Sequence, residues 1–491
     1  MKKNKLLIFI FCLIISIGLF AITFFKVDPD FLWHLKAGEY IFKNGIITHD
    51  VFSWFTYSKY WMCHEWLFEL IIYTLKHVFG NFYILIYLGV FITLLLMILF
   101  IPNKDNLTKN IPYTLFWILL FLIIIPFMQV RPHIISFCLL ALSFYFLYDL
   151  YKNEDSKKVY FLPIISIIWA NVHGGSSNLP YLLCFIFIVA GLFQFQFHKI
   201  EANRLSKVKL KRYFFVMILC MIAVCINIHG FKMFIYPYEN MLDTTMLQNI
   251  SEWQGTTLSE FTSYMYFFLL IFIIMTMLFS KKKIEFMDLI LFGFVAYLGL
   301  KSIRFWFFTY IVMNYIVFNY VSKIKKDKGT EICISIFTIF LLLGFIKNIN
   351  NLFNIKYYCY LDREVVNYIK KEKPDRLFNM YNYGGELIYN DVEVFIDGRA
   401  DLYGKHNYKD YLKIVYLNKD IDSLLEKYDF DYMIVDTSYP IYTYMNNNTK
   451  YSSVFINKDY VVYKKNWFNQ FFFYPLVWLV FVFAFSINEF I

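Results

Sequence analysis

Long runs of apolar residues constrain this chain more than any other feature of its sequence. A helix needs about 20 apolar residues to cross the hydrocarbon core of a bilayer. Hydrophobic residues make up 59% of the 491 positions and charged residues 17%, whereas soluble domains average about 45–50% and 25%. This excess cannot be buried in soluble cores, so the sequence predicts an α-helical polytopic membrane protein. About twelve spans are expected, at residues 5–25, 82–101, 112–129, 133–149, 160–171, 179–197, 212–228, 262–280, 286–301, 305–321, 331–348 and 471–487.

The basic residues of the loops predict how these helices are oriented. Lys and Arg concentrate at the N-terminus and in every second loop, for example at residues 199–212, 281–283 and 323–328. Because cytoplasmic loops carry the excess of positive charge, the N-terminus is expected in the cytoplasm and the protein in the plasma membrane. The run 5–25 lacks the small-residue cleavage site of a signal peptide and is expected to be a retained anchor.

This orientation places the longest polar segments on the extracytoplasmic side. A transmembrane domain is expected at residues 1–349, with a long first outer loop at 26–81. A small α/β domain is expected at 350–470, before a C-terminal transmembrane helix at 471–491. The charges of the α/β domain nearly cancel, so a nucleic-acid partner is not expected. The eight cysteines form no CxxC pair and indicate neither a zinc site nor a disulfide framework.

Helical and extended patterns alternate within 350–470, which predicts the α/β layer. Asp397 and Arg399 directly follow one predicted strand, where ligand sites of α/β folds commonly lie. A structural Arg–Asp pair in a turn is the alternative role of these two residues. The predicted strands are 376–383, 392–397, 430–436 and a hairpin at 452–465, and the predicted helices are 362–373, 407–417, 419–428 and 440–446.

The first outer loop contains two clusters of acidic and histidine residues. Asp28, Asp30 and His34 open one predicted helix, and Asp30 and His34 share a face because they are four residues apart. Asp28 also precedes a proline, as a helix cap often does, so capping is its alternative role. A second cluster opens another predicted helix and consists of His64, Glu65, Trp66 and Glu69. For the acids of this cluster the alternative is a solvent-exposed helix end.

Further polar residues gather at the outer ends of predicted spans. A lone Arg or His at such a place is usually an interfacial anchor, and that alternative stays open for each residue. Since all of them lie on one side, we expect a common outer cavity in which Arg and His hold a phosphate. The candidate substrate-binding residues are His34, His64, Glu65, Arg131, His133, His173, His229, Glu252, Arg304, Asp397 and Arg399.

Several of these motifs together resemble a largely uncharacterised group of bacterial polytopic membrane proteins. The matching stretches are DPDFLWHL through HEWLFE, Asn171 to Gly175, Gly384 to Ile388 and Phe395 to Arg399. The many spans, the acidic first outer loop and the outer C-terminal domain resemble the C-type (GT-C) glycosyltransferases. The string NYGG is similar to the Tyr-Gly motif of the oligosaccharyltransferase catalytic subunit, although the Trp-Trp-Asp that precedes it there is missing here.

The resemblance implies transfer of a sugar, with inversion, from a polyprenyl-phosphate donor to an envelope glycan, lipid or protein on the outer face. It implies that Asp30, or Asp28, is the general base on the acceptor hydroxyl. His64 and Glu65 would position the acceptor or bind a divalent cation such as Mg²⁺ or Mn²⁺. The departing lipid phosphate would be stabilised by Arg131, His133, His173, His229 and Arg304.

Two non-enzymatic classes compete with this hypothesis. A flippase or transporter of lipid-linked glycans would use the outer polar ring as a binding vestibule. Transporter sites lie near the bilayer midplane, however, and the predicted spans carry few charges there. An envelope-assembly protein would act through its outer domain instead. A glycan polymerase or ligase is a further transferase class close to the main hypothesis.

Overall fold

The computed structural model describes residues 28–102, 111–121, 129–242, 253–257, 261–321, 360–418 and 420–466. The predicted spans 5–25, 331–348 and 471–487 lie outside these residues. Contacts divide the chain into two compact units. The first unit comprises Met1–Phe31, Ala37–Ile47 and Met62–Tyr358, and the second comprises Leu32–Lys36, Thr48–Trp61 and Cys359–Ile491.

The first unit is mostly helical. A small sheet accompanies its helices, with β1 antiparallel to β2 and β2 parallel to β3. In chain order the described elements are α1 (Phe31–Asn44, shared with the second unit), α2 (Trp66–Phe79), α3 (Tyr83–Phe100), α4 (Ile111–Leu120), α5 (His133–Lys152), α6 (Leu162–Val172), α7 (Leu179–Gly191), β1 (Phe195–Phe197), β2 (Ile200–Ala202), α8 (Lys207–Val224), α9 (Lys232–Leu242), α10 (Phe261–Phe279), β3 (Ile284–Glu285), α11 (Phe286–Lys301) and α12 (Trp306–Val321).

Three stretches of the described chain are long and apolar enough to cross a membrane, by length and composition. They are Trp66–Phe100, which joins α2 to α3 through one 3₁₀ turn, then helix α5, and Gly174–Gly191. The first of these begins well before residue 82, where the sequence predicted the span to begin. Helix α2 is itself rich in Leu, Ile and Phe, which explains the difference. The total of twelve spans stays a prediction.

The second unit contains a four-stranded mixed sheet with helices. Its strand order is β4-β5-β7-β6, with β4 parallel to β5 and the other pairs antiparallel. The predicted hairpin at 452–465 is confirmed by β6 and β7. The elements are α13 (Arg363–Glu372), β4 (Leu377–Asn379), α14 (Gly384–Tyr389), α15 (Ala400–Val415), α16 (Ile421–Tyr428), β5 (Tyr432–Asp436), α17 (Pro440–Asn446), β6 (Tyr451–Ile456) and β7 (Tyr460–Lys465).

The predicted strand at 392–397 is wrong, because this segment makes only an isolated bridge between Val394 and Ser53. The side chain of Asn379 takes the place of a neighbouring strand. Its Oδ1 accepts from the backbone N–H of Phe395 at 2.9 Å, and its Nδ2 donates to the carbonyl of Ile396 at 2.7 Å. A buried segment without a strand partner thereby keeps its backbone groups hydrogen-bonded.

Gly384 begins helix α14 in ordinary right-handed geometry, so its backbone conformation does not require a glycine. A Cβ at this position would lie 2.5 Å from the carbonyl oxygen of Ile396 and 2.5 Å from Cβ of Asp397. The glycine is therefore required by close packing against the segment that precedes Arg399.

A buried ion cluster ties residues 48–61 into the second unit. The Arg399 guanidinium donates to Asp50 Oδ1 at 2.5 Å and to the two carboxylate oxygens of Asp397 at 2.8 and 2.6 Å. It also lies 4.7 Å from the ring centre of Trp61. Tyr403 donates its hydroxyl to Asp397. Both carboxylates are fully buried, so the cluster holds the loop by paired charges.

Replacing Arg399 with Met should destabilise the second unit strongly. The change leaves Asp50 and Asp397 buried without a counter-charge, which costs about 3–5 kcal/mol. Chemical unfolding of the full chain, together with limited proteolysis within residues 48–61, measures the loss. Arg376→Met is the matched control, since Arg376 forms a half-exposed pair with Asp429 at 3.7 Å and should cost less than about 1 kcal/mol. Equal losses in both variants would contradict the assignment.

Candidate functional site

Asp28 and Asp30 lie just before helix α1, and Arg131 bridges their carboxylates. One guanidinium nitrogen of Arg131, Nη2, lies 2.5 Å from Asp28 Oδ1 and 2.8 Å from Asp30 Oδ2. Asp28 Oδ1 also accepts from the backbone N–H of Asp30 at 2.8 Å. Arg131 itself precedes α5, and its carbonyl accepts from the hydroxyl of Tyr87 at 2.8 Å. The acid pair and the arginine are therefore held by elements far apart in sequence.

The two carboxylates differ in their access to solvent. The Asp28 side chain is 6% exposed, whereas that of Asp30 is 23% exposed. The Asp28 side chain accepts from the backbone N–H of Asp30 and closes the turn before α1, but the N-cap position of α1 is occupied by Asp30, not by Asp28 as its alternative role required. Asp30 is therefore the more accessible of the two carboxylates.

The turn that carries His64, Glu65 and Trp66 is joined to the end of helix α6. Trp66 Nε1 donates to Asn171 Oδ1 at 2.9 Å, and the N–H of Gly174 donates to the carbonyl of His64 at 3.1 Å. A Cβ on Gly174 would lie 2.4 Å from the sulfur of Met233 and 3.0 Å from Cβ of His64. The Asn-x-His-Gly-Gly and His-Glu-Trp motifs thus form one packed group.

His173 is the centre of a hydrogen-bond chain within this group. Arg304 Nη2 lies 3.3 Å from His173 Nε2, and Ser136 Oγ lies 2.7 Å from His173 Nδ1. Because a guanidinium only donates, Nε2 is the acceptor and the proton of the neutral ring lies on Nδ1. Glu65 Oε1 is 3.6 Å from Nε2. The guanidinium of Arg304 also packs on Trp253, with 5.2 Å to the ring centre.

The histidines beside this chain are held neutral. Burial, followed by the positive charge of Arg304, lowers the pKa of His64 to about 3. Burial also lowers the pKa of His229. The His64 ring packs on Tyr236 at 4.6 Å between ring centres. At neutral pH these imidazoles act as hydrogen-bonding groups or ligands, while Arg304 supplies the permanent positive charge.

A second acidic residue lies on the turn-to-helix segment that carries Glu65. Glu69 is fully buried on α2, and the thiol of Cys63 donates to it at 3.1 Å. Both glutamates offer carboxylate oxygens that could serve as ligands of a metal ion. Buried carboxylates in an apolar helix are rare and are usually functional.

The other predicted site residues lie in varied environments. His133 is the first residue of α5, with its ring 5.3 Å from that of Phe137. His34 is buried on α1, in the part of that helix that belongs to the second unit. Glu252 lies outside the described residues. Asp397 and Arg399 lie in the buried ion cluster, so the structural pair is formed, and their assignment to substrate binding stays a prediction.

Sequence reasoning missed several residues of the site. Ser136 and Trp169 complete the hydrogen-bond chain of His173, with Trp169 Nε1 donating to Ser136 Oγ at 3.0 Å. Tyr236 contributes the ring against His64. Ser136 and Trp169 lie inside apolar helices, where serine and aromatic residues give no signal of their own. Glu69, by contrast, belonged to the second predicted cluster, because it is a charge within a strongly apolar run.

Comparison with solved structures finds an oligosaccharyltransferase from Archaeoglobus fulgidus in two crystal structures. One is tethered with an acceptor peptide containing the NVT sequon via a disulfide bond and gives a TM-score of 0.49. The other is the apo form, with a TM-score of 0.48. Each has 13% identity and covers 88% of this chain and 69% of that chain. At these TM-scores the likeness establishes neither fold nor activity. No protein-family model and no curated protein matches the chain.

The His64 imidazole should stay neutral well below neutral pH. Its folded pKa of about 3 lies below the ordinary 6.5, so the unfolded chain binds this proton more readily. Stability should therefore fall as pH drops below about 6.5, until the folded pKa is reached. NMR of ¹⁵N-histidine-labelled protein, with His64→Gln to assign the signal, measures the protonation. A His64 signal that titrates between pH 5 and 7 would contradict the buried geometry.

Proposed function

We propose that the chain is a membrane glycosyltransferase. It moves a sugar from a polyprenyl-phosphate-linked donor to an acceptor on the extracytoplasmic face. One observation carries the proposal, namely the meeting of two polar groups at the start of helix α5. Arg131, before the helix, holds the accessible Asp30 carboxylate, and Ser136, in its first turn, bonds to His173 beside Arg304. A base and a fixed cation are the two groups that such a transfer requires.

In the proposed reaction the acceptor hydroxyl attacks the anomeric carbon of the donor sugar. Asp30 takes the hydroxyl proton as the new oxygen–carbon bond forms. The bond between the anomeric carbon and the phosphate oxygen breaks, and the electron pair leaves with the lipid phosphate. A single displacement of this kind inverts the anomeric configuration. Arg131 orients Asp30 through the hydrogen bond of 2.8 Å.

The departing phosphate gains negative charge, which Arg304 is placed to stabilise. Its guanidinium is fixed by His173 on one side and by Trp253 on the other. A hydrogen-bond donor that is already oriented does not have to move as negative charge develops on the phosphate. Such preorganisation is the main source of electrostatic catalysis. The apolar helices of the first unit suit a polyprenyl chain, and the proposed acceptors are an envelope glycan, lipid or protein.

A divalent cation would fit the carboxylates near this site. Glu65 and Glu69 offer the hard oxygen ligands that Mg²⁺ and Mn²⁺ prefer. When bound, such an ion would offset the charge of the donor phosphate.

Asp30→Asn should abolish transfer while leaving the protein folded. The amide keeps the size of the side chain but cannot accept the proton, so the rate should fall by about 10²–10⁴-fold. Mass spectrometry of envelope glycans and lipid-linked sugars is the measurement. It compares a strain lacking the chain with strains restored by wild type, Asp30→Asn or Glu39→Gln at equal membrane abundance.

Glu39 is a matched control, because it is a partly exposed carboxylate on the same helix, paired with Lys43 at 2.5 Å. Wild type and Glu39→Gln should restore one glycan substituent, and Asp30→Asn should leave its sugar–lipid donor accumulated. Full restoration by Asp30→Asn would remove Asp30 as the base and favour transport or assembly over transfer.

A further inference from the structure

The parallel strands of the second unit end at an edge that the proposed reaction does not use. Strands β4 and β5 are neighbours and run in the same direction, so the loops after them leave the sheet at one edge. In α/β folds this carboxyl edge is the usual place of a ligand site. The loop after β4 carries Tyr381 and Tyr383, and β5 ends in Asp436, followed by Ser438 and Tyr439.

Tyrosine side chains surround this edge. Tyr381 packs on Tyr408 at 5.8 Å between ring centres, and its backbone N–H donates to the hydroxyl of Tyr411 at 3.0 Å. Tyr416 packs on Tyr439 at 5.9 Å. Tyr408 and Tyr411 are buried, whereas Tyr416 is 54% exposed. We call these five residues the tyrosine cluster. Its inner rings are buried by packing, and its outer rings, Tyr416 and half-buried Tyr439, reach solvent.

Asp436 lies beside this aromatic face and is held in one orientation. Its Oδ2 accepts from the hydroxyl of Tyr383 at 3.0 Å, and its Oδ1 accepts from the N–H and hydroxyl of Ser438 at 2.8 and 2.5 Å. Burial, then Tyr416 and Asp436, raise the pKa of Tyr439 above its ordinary value. The Tyr439 hydroxyl therefore keeps its proton and remains a donor at neutral pH.

We propose that the tyrosine cluster and Asp436 form a carbohydrate-binding subsite on the second unit. A sugar ring has an apolar face of C–H groups and a rim of hydroxyls. Exposed Tyr416 offers a flat aromatic ring for that face, and the ring of half-buried Tyr439 lies beside it, tilted by 59°. The carboxylate of Asp436 and the hydroxyls of Ser438 and Tyr439 offer the few converging polar groups that fix a ligand's orientation.

The chemistry of the edge favours a neutral sugar over other ligands. Tyrosine supplies large contact area at low cost in conformational entropy, and its hydroxyl adds a hydrogen bond at the rim. The carboxylate of Asp436 disfavours a phosphate, so the subsite fits a glycan acceptor better than the phosphorylated donor. Its role as an acceptor subsite rests on the proposed function, whereas the binding itself does not.

Saturation-transfer NMR on the full chain in lipid nanodiscs tests this subsite. Nanodiscs avoid detergents with sugar headgroups, which would compete. The probes are a panel of neutral hexasaccharides that includes chitohexaose and mannohexaose, with hexaethylene glycol as the non-sugar control. Tyr416→Ala removes an exposed ring without opening a cavity, and Tyr416→Phe keeps the ring. Tyr57→Ala removes a similarly exposed tyrosine, 63% exposed, elsewhere in the same unit.

We expect at least one hexasaccharide to bind wild type, with affinity about tenfold weaker in Tyr416→Ala. Tyr416→Phe and Tyr57→Ala should bind as wild type does. Absence of binding by every hexasaccharide, or equal binding by Tyr416→Ala, would overturn the proposal. Asp30→Asn should retain this binding while losing transfer. If the wild-type protein binds a hexasaccharide but shows no transfer activity, the subsite is supported and only the proposed function is rejected.

Discussion

Burying a charge without a partner costs several kcal/mol, and in both units of this protein an arginine is paired with two carboxylates. In the first unit Arg131 is held between Asp28 and Asp30, and in the second unit Arg399 is held between Asp50 and Asp397. Each arginine joins segments far apart in sequence, because at least one of its carboxylate partners, Asp28 and Asp30 for Arg131 and Asp50 for Arg399, comes from a distant segment. These acidic residues of segment 28–61 are therefore placed by ion pairs as much as by the helices that flank them.

Close backbone packing supplies the rest of the geometry. Gly174 lets the end of α6 approach the His64 turn, and Asn171 bonds to Trp66 on that turn and to the carbonyl of Ile226. Both contacts lie next to His173 in the chain, so they fix where its ring can lie. The hydrogen bonds from Arg304 and to Ser136 then set its tautomer. A histidine positioned in this way is part of a preorganised electrostatic environment.

Sequence patterns predicted the helical class, the hairpin of β6 and β7 and the grouping of Glu65 with His64. These features follow from local periodicity and spacing, which a sequence displays directly. The pairing of Asp50 with Arg399 was not predictable, because 349 positions separate them and neither residue carries a local signal of the other. The segment 392–397 was predicted as a strand because its pattern is extended, but the side chain of Asn379 satisfies its backbone instead of a neighbouring strand.

Among the residues proposed to stabilise the donor phosphate, only some carry a positive charge at neutral pH. His229 has a lowered pKa because of burial and carries no positive charge at neutral pH. Arg131 already faces two carboxylates, so most of its charge is offset. Arg304 contacts a ring nitrogen of His173 and the face of Trp253, and Glu65 Oε1 lies 3.6 Å from the same ring nitrogen. In the proposed reaction Arg304 faces the phosphate, while Arg131 orients the base.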